Sequence, residues 1–353
     1  MAEVKIRSKA PLRIGLAGGG TDIETFSRYG GAVLNATIGM YAYCTIIPRG
    51  DGVIKINSYD NNNSLETKAV PFLPIEGDNL ILHRGVYNRV VKEFNGGKAL
   101  SFEMSTSNDA PVGSGLGTSS TMVVAILEAF NRWLGLNLDK YRMAQLAYEI
   151  ERQDLALAGG KQDQYAAVFG GFNYIEFKKD GSTVVNALRL DKSRLNELES
   201  SLLLYYGGHS RSSAKMQLEL TKNIISKQIE GTTSGESKTL DAMEKLKASA
   251  AEMKDFIFTG DMDAFAENMR QGWEQKKRTS DIVSNKELEE VIACVLAGGA
   301  EAVKVSGAGG GGFLLVYCNP INRQRLINHM ANLEGKTYPV NFTKYGAESW
   351  IVE

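Results

Sequence analysis

Over the first third of the chain, apolar residues fall in short β-branched and aromatic blocks. Segments 4–9, 12–16, 32–37 and 41–48 are bounded by glycine or proline and predict four short strands. From 79 to 94 the apolar positions recur three to four apart, a helical period, and 99–105 returns to strand. A glycine-rich stretch at 109–117 runs into an apolar helix predicted over about 118–133. A further helix is predicted over 140–157. Gly159 and Gly160 interrupt the pattern before a short helix at 162–168, and 171–177 with 183–188 form a predicted strand pair.

The second half has a different texture. A strand at 202–206 precedes long charged amphipathic helices at 213–229, 238–258 and 262–277, the polar stretch 231–238 connecting two of them. A helix at 286–297, a strand at 302–305, a glycine loop, a strand at 313–318, a helix at 319–331 and two last strands complete the pattern. This order of strands and helices is compatible with an α+β fold class, and the change of texture near 185–200 divides the chain into an N-terminal domain over 1–190 and a C-terminal domain over 191–353. Segment 57–68, with its run of three asparagines, is either a lid or a bare hairpin.

With 353 residues, two domains sharing a cleft are the default expectation. Lysine and arginine total 40 against 41 acidic residues, a net charge of −1, which gives no electrostatic reason to expect a nucleic-acid partner. Cys44, Cys294 and Cys318 are widely spaced and sit in apolar runs, as buried thiols do, rather than in a disulfide framework or zinc site. No segment reaches membrane-spanning length and the N-terminus lacks the apolar core of a signal peptide, so a cytoplasmic protein with no membrane partner is expected. A homodimer is compatible with this composition.

Candidate chemistry gathers in the glycine-rich segments. In 111–120 (PVGSGLGTSS), Gly113, Gly115 and Gly117 remove side chains where backbone would wrap an anion, and the segment opens a helix. Thr118, Ser119 and Ser120 add hydroxyls for phosphate or magnesium, and Pro111, Ser114 and Leu116 complete the segment. A glycine turn capped by a hydroxyl is the plainer alternative. A Walker A loop is excluded, because no lysine follows these glycines and the GKT at 335–337 has Met330 where the first glycine is required. A dinucleotide fingerprint at 15–20 fails at Ile23.

This segment resembles the central motif of the GHMP kinase superfamily, and two more segments match that family in order. APLRIGLAGGGTD at 10–22 is similar to the substrate-side motif of its sugar kinases, and KVSGAGGGG at 304–312, with Gly307, Gly309 and Gly310, resembles its third motif. The resemblance implies a GHMP kinase fold, with an N-terminal ribosomal protein S5 domain 2-like domain, a C-terminal ferredoxin-like domain, and ATP with Mg²⁺ between them. It places the catalytic aspartate at Asp163 in GGKQDQYAAVFGG and a charge-stabilising arginine at Arg13. Magnesium ligands fall on Ser119 and Glu151, with Glu149 close by. Sugar hydroxyls fall to Asp22, beside Gly20 and Thr21.

Gly18-Gly19-Gly20-Thr21-Asp22 replaces the Gly-Glu-His-Thr-Asp of galactokinases, which argues against galactose. The run RSKAPLRIGLAGGGTD, with GGKQDQYAA and GGHSRSSA, is similar to the bacterial D-glycero-α-D-manno-heptose 7-phosphate kinases. That likeness implies an ATP:sugar phosphotransferase making a 1,7-bisphosphate at the anomeric hydroxyl, for nucleotide-activated heptose. Such a sugar phosphate needs a second anion site. Lys161 and the cluster His209, Arg211 and Ser212, with Ser213 and Lys215 behind it, are the candidates, helix caps being the alternative for the serines. The rival readings are another anomeric sugar kinase, of fucose or galactose type, and a non-catalytic sensor of sugar and ATP.

Overall fold

The computed structural model describes residues 4–75, 80–208, 213–229 and 237–352. The chain opens with β1 (Lys5–Ala17), α1 (Glu24–Ser27), β2 (Gly31–Pro48), the hairpin β3 (Val53–Ser58) and β4 (Asn63–Lys68), α2 (Ile81–Phe94) and β5 (Phe102–Asn108). Next come α3 (Thr118–Leu134), α4 (Lys140–Glu149) with a π-helical turn Ile150–Asp154, α5 (Gln162–Phe169), and the strand pair β6 (Phe172–Phe177) and β7 (Thr183–Leu188). The second half holds α6 (Lys192–Ser201), β8 (Leu202–Tyr206), α7 (Ser213–Ile229), α8 (Lys238–Thr259), α9 (Met262–Lys277) and α10 (Lys286–Ala297). It ends with β9 (Ala302–Val305), β10 (Phe313–Tyr317), α11 (Arg323–Met330), β11 (Lys336–Pro339) and β12 (Glu348–Val352).

Two sheets organise these elements. The first has eight strands, in the order β12-β1-β2-β5-β3-β4, with β6 and β7 continuing from the other half of β2. The second runs β11-β8-β10-β9. Numbered along the chain, that is the 4-1-3-2 order of a ferredoxin-like sheet, with α7 to α10 in its first crossover and α11 in its second. The last strand leaves this unit and pairs antiparallel with β1, Ile6 opposite Ile351.

The four short strands predicted from the N-terminal pattern form two long ones. Pro11 does not end β1, because the register against β2 shifts between Pro11 and Arg13 and the bulge accommodates a residue with no N–H. The 57–68 segment is the β3–β4 hairpin, with β3 held parallel to β5. One face of the first sheet packs on α2 to α5, where Phe102 lies edge-on to Phe130 at 5.6 Å between ring centroids. Its other face meets the second unit. Leu12, Ile14, Leu16 and Leu34 form one apolar cluster with Leu204, Met253, Phe265 and Leu315. Because β1 is buried on both sides, its polar interruptions at the C-terminal end are held in fixed positions.

Candidate active site

Three glycine segments meet where the two units join. Gly115 has φ +82°, and a Cβ there would lie 2.3 Å from Ser306 O; one on Gly307 would lie 2.7 Å from Gly115 O. The two loops thus touch backbone to backbone, with Ser306 Oγ donating to Gly115 O at 3.1 Å and Phe313 N–H to Ser114 O at 2.9 Å. Gly117, at φ +80°, precedes α3 without a side-chain cap, which leaves the first N–H groups of the helix to face a cavity of about 380 Å³. Gly113, Gly115, Gly117, Thr118, Ser119 and Ser120 line that cavity. Pro111, Ser114 and Leu116 do not. Ser114 and Leu116 are buried, and Leu116 O instead accepts the Arg13 N–H at 3.1 Å. Of the third segment Gly307 reaches the cavity, while Gly309 packs on Val283 and the Gly310 N–H donates to Val283 O.

Arg13, just past the bulge of β1, is 4 % exposed, and its guanidinium bridges both halves of the site. Nε donates to Asp163 Oδ1 at 2.7 Å and Nη1 to Gly115 O at 2.6 Å. Asp163 sits in the first turn of α5, and a Cβ on Gly117 would lie 3.2 Å from its Cγ, so its carboxylate covers the turn that opens α3. Asp22 enters from the loop after β1. It accepts the Gln162 N–H at 3.0 Å and the Gly20 N–H at 3.2 Å, against Gly160, where a Cβ would lie 1.9 Å from Oδ2. Burial raises its carboxyl above the ordinary range, opposed by the Gln162 N–H and the charge of Lys276 and assisted by the nearby charge of Asp163.

Glu151 lies on the π-helical turn, where Leu155 N–H reaches back to Ile150 O. Its carboxylate is buried and accepts from Ser120 Oγ at 3.0 Å and from Gln164 Nε2. Burial raises its pKa, partly offset by Arg152. Glu149 points elsewhere, into surface ion pairs with Arg89 and Arg142. Ser120 rather than Ser119 therefore bonds Glu151. Ser119 is exposed at the cavity mouth, because consecutive helical residues project about 100° apart. Ser120 Oγ and the Glu151 carboxylate, which both line the cavity, are oxygens that suit a hard cation, and the Gln164 amide nitrogen donates to both.

Two candidate acceptor residues stand outside the cavities. Lys161 donates to Gly181 O at 3.2 Å and lies over the Tyr148 ring, turned away by its place just before α5. Thr21 is fully buried, its hydroxyl against Gly18 O and Ala32 O, where it ties the loop to β2. His209, Arg211 and Ser212 lie outside the described residues, and Ser213 begins α7.

Sequence reasoning missed two lysines. Lys276, near the end of α9, donates to Gly19 O at 3.1 Å. Lys304, on β9, donates to Gly15 O and Leu16 O at 3.0 and 2.9 Å. Enclosure of the amines pushes Lys276 down to about 8 and Lys304 down to about 7, the second lowered further by Lys276 and Arg13. The signal was present for Lys276. With Phe265, Met269 and Trp273 it falls at intervals of four, four and three, on the buried stripe of α9.

The family models described as GHMP kinases N terminal domain and GHMP kinases C terminal match residues 79–171 and 239–335. The chain belongs to the GHMP kinase family. Members are ATP-dependent phosphotransferases, and so is this chain. Over 348 residues it is 43 % identical to the D-glycero-α-D-manno-heptose 7-phosphate kinase of Campylobacter jejuni subsp. jejuni serotype O:2, covering 98 % of this chain and 99 % of that one. It is 27 % identical to a galactokinase of Pyrococcus furiosus, over 87 % of each chain. A crystal structure described as a D-glycero-D-manno-heptose 1-phosphate kinase from Bacteriodes thetaiotaomicron superposes with TM-score 0.82 at 42 % identity, over 98 % of both chains. This GHMP kinase thus has full-length likenesses among heptose phosphate kinases. Among its described residues, no helix is long and apolar enough to cross a membrane.

Proposed function

We propose that this chain transfers the γ-phosphoryl group of ATP to the anomeric hydroxyl of D-glycero-D-manno-heptose 7-phosphate, giving the 1,7-bisphosphate and ADP. The observation that carries this reading is the Arg13–Asp163 pair, shared by the loop-lined cavity and the cavity beside Asp22. A donor phosphate held by the N–H groups of the first glycine loop would meet a sugar held by Asp22 at that pair. The family likeness gives the reaction, and the 43 % identical relative the sugar. The two heptose relatives are named for phosphates at opposite ends of the sugar, so the position attacked is part of the proposal.

In this mechanism the sugar hydroxyl approaches Asp163, which accepts its proton as the oxygen attacks the γ-phosphorus and the bond to the ADP oxygen breaks. Arg13 holds the Asp163 carboxylate toward the cleft and brings positive charge to the transferring group. Asp22, itself held by two backbone N–H groups, orients sugar hydroxyls. Mg²⁺ would be held by Glu151 with Ser119 or Ser120 and would neutralise charge on the phosphates.

ADP release with Mg-ATP and a panel of acceptors tests the reading. The expected outcome is turnover of heptose 7-phosphate with kcat/KM at least about 100-fold above unphosphorylated heptose, galactose or fucose. Equal or faster turnover of an unphosphorylated sugar would overturn the acceptor assignment and leave the phosphotransferase.

A further inference from the structure

Three cavities lie in a row through the site. The one lined by the first glycine loop shares Arg13, Asp163 and Gly307 with the one beside Asp22. That middle cavity shares Gly19, Gln162 and Lys276 with a third, which runs under the loop after β1 and is lined by Lys304, Asn268 and Trp273. The nucleotide loop thus borders the first cavity, the reacting pair and Lys276 border the middle one, and Lys276 and Lys304 border the third.

The far cavity is rich in unused donors. A lysine ammonium carries three N–H groups. Lys276 spends one on Gly19 O and keeps two, while Lys304 spends two on Gly15 O and Leu16 O and keeps one. Trp273 is 4 % exposed, and its Nε1 is buried without a partner among the described residues. Neither lysine lies within ion-pair distance of a carboxylate in the ion pairs of the described residues; Asp22 acts on Lys276 only at longer range. Two enclosed amines and a buried N–H donor that line one cavity favour an anion there, because it would supply the acceptors and the opposite charge the cavity lacks. Gly20 fits the same arrangement, because a Cβ there, at φ +102°, would lie 2.9 Å from Lys276 Nζ.

We propose that Lys276, Lys304 and Trp273 Nε1 form the subsite for the phosphate already carried by the acceptor, at the end of the sugar remote from the attacked hydroxyl. This rests on the acceptor being a sugar phosphate and replaces Lys161, which faces Gly181, as an anion ligand. The spare donors outnumber the three terminal oxygens of a phosphomonoester, and Lys276 borders the middle cavity together with Asp22 and Asp163, so a sugar held by Asp22 can carry its phosphate to the lysines. Lys276 and Trp273 set specificity here and take no part in the bond changes.

The test compares kcat/KM for heptose 7-phosphate with that for unphosphorylated heptose in the full-length protein. Lys276→Met lowers this ratio about 100-fold, through KM for the phosphorylated sugar, with KM for ATP unmoved and partial recovery in Lys276→Arg. Trp273→Phe keeps an aromatic ring and removes one N–H. It lowers the ratio about fivefold, and carries the test if the lysine variant does not fold. An unchanged ratio in the folded variants, or equal losses for both sugars, overturns the subsite. Wild-type protein that does not turn over heptose 7-phosphate defeats the acceptor reading instead, so the two failures are distinct.

Discussion

Arg13 and Asp163 stand 150 positions apart in the sequence and share one hydrogen-bonded pair, which a strand bulge and the first turn of a helix create. The two lysines nearby have a different physical consequence. Their amines hold protons less tightly than in the unfolded chain, where the ordinary value is 10.5. Between pH 7 and 9 the unfolded state therefore binds more protons than the folded one, so stability rises with pH across that window. Ligand-free protein is expected to gain roughly 3–4 kcal/mol from pH 7 to pH 9 in urea unfolding, and Lys304→Met to remove more than half of that rise. A fall in stability over the same interval would contradict the enclosure of these amines. Asp22, raised by burial, has the opposite slope at lower pH, where its folded-state proton is lost. Asp163, Arg13 and Asp22 were legible because each falls within a motif. Lys304 opens the third motif but was not legible as a site residue, since a lysine between two valines of a short strand carries no mark of the loop carbonyls it will meet.

The helices of the second half were legible almost to the residue, because each carries a long polar–apolar period: α7, α9 and α10 have the boundaries the pattern predicts. The helix α6 was missed; Leu195 and Leu198 are its only large apolar residues, too few to define a period. β1 and β2 were cut in two by Pro11 and Gly39, whose local preference is overridden by pairing along the whole sheet. The glycine loops were legible as segments, but their mutual contact was not. That contact supports a direct prediction. Gly115→Ala forces a Cβ to 2.3 Å from Ser306 O at a left-handed φ, and is expected to cost about 2–4 kcal/mol in thermal unfolding and to raise KM for ATP. Gly50→Ala, with nothing within 4 Å of the added methyl, is expected to change stability by less than about 0.5 kcal/mol. Equal effects of the two would contradict the packing of the loops.

At the scale of the whole molecule, the two units are held by more than the cleft. The apolar cluster between β1, β2, α8, α9 and the second sheet fixes their relation, and β12 returns from the C-terminal end to pair with β1. The cavities line up along this seam. Gly307, from the second unit, borders all three, so nucleotide loop, reacting pair and lysines are positioned by one junction. Phosphorus NMR of the product made from Mg-ATP and D-glycero-D-manno-heptose 7-phosphate measures the whole arrangement at once. The expected result is one new phosphate signal on the anomeric carbon per ADP formed, lost by about 100-fold or more in Asp163→Ala. ATP hydrolysis without a new sugar phosphate, or an Asp163→Ala variant as fast as the wild type, would contradict the account.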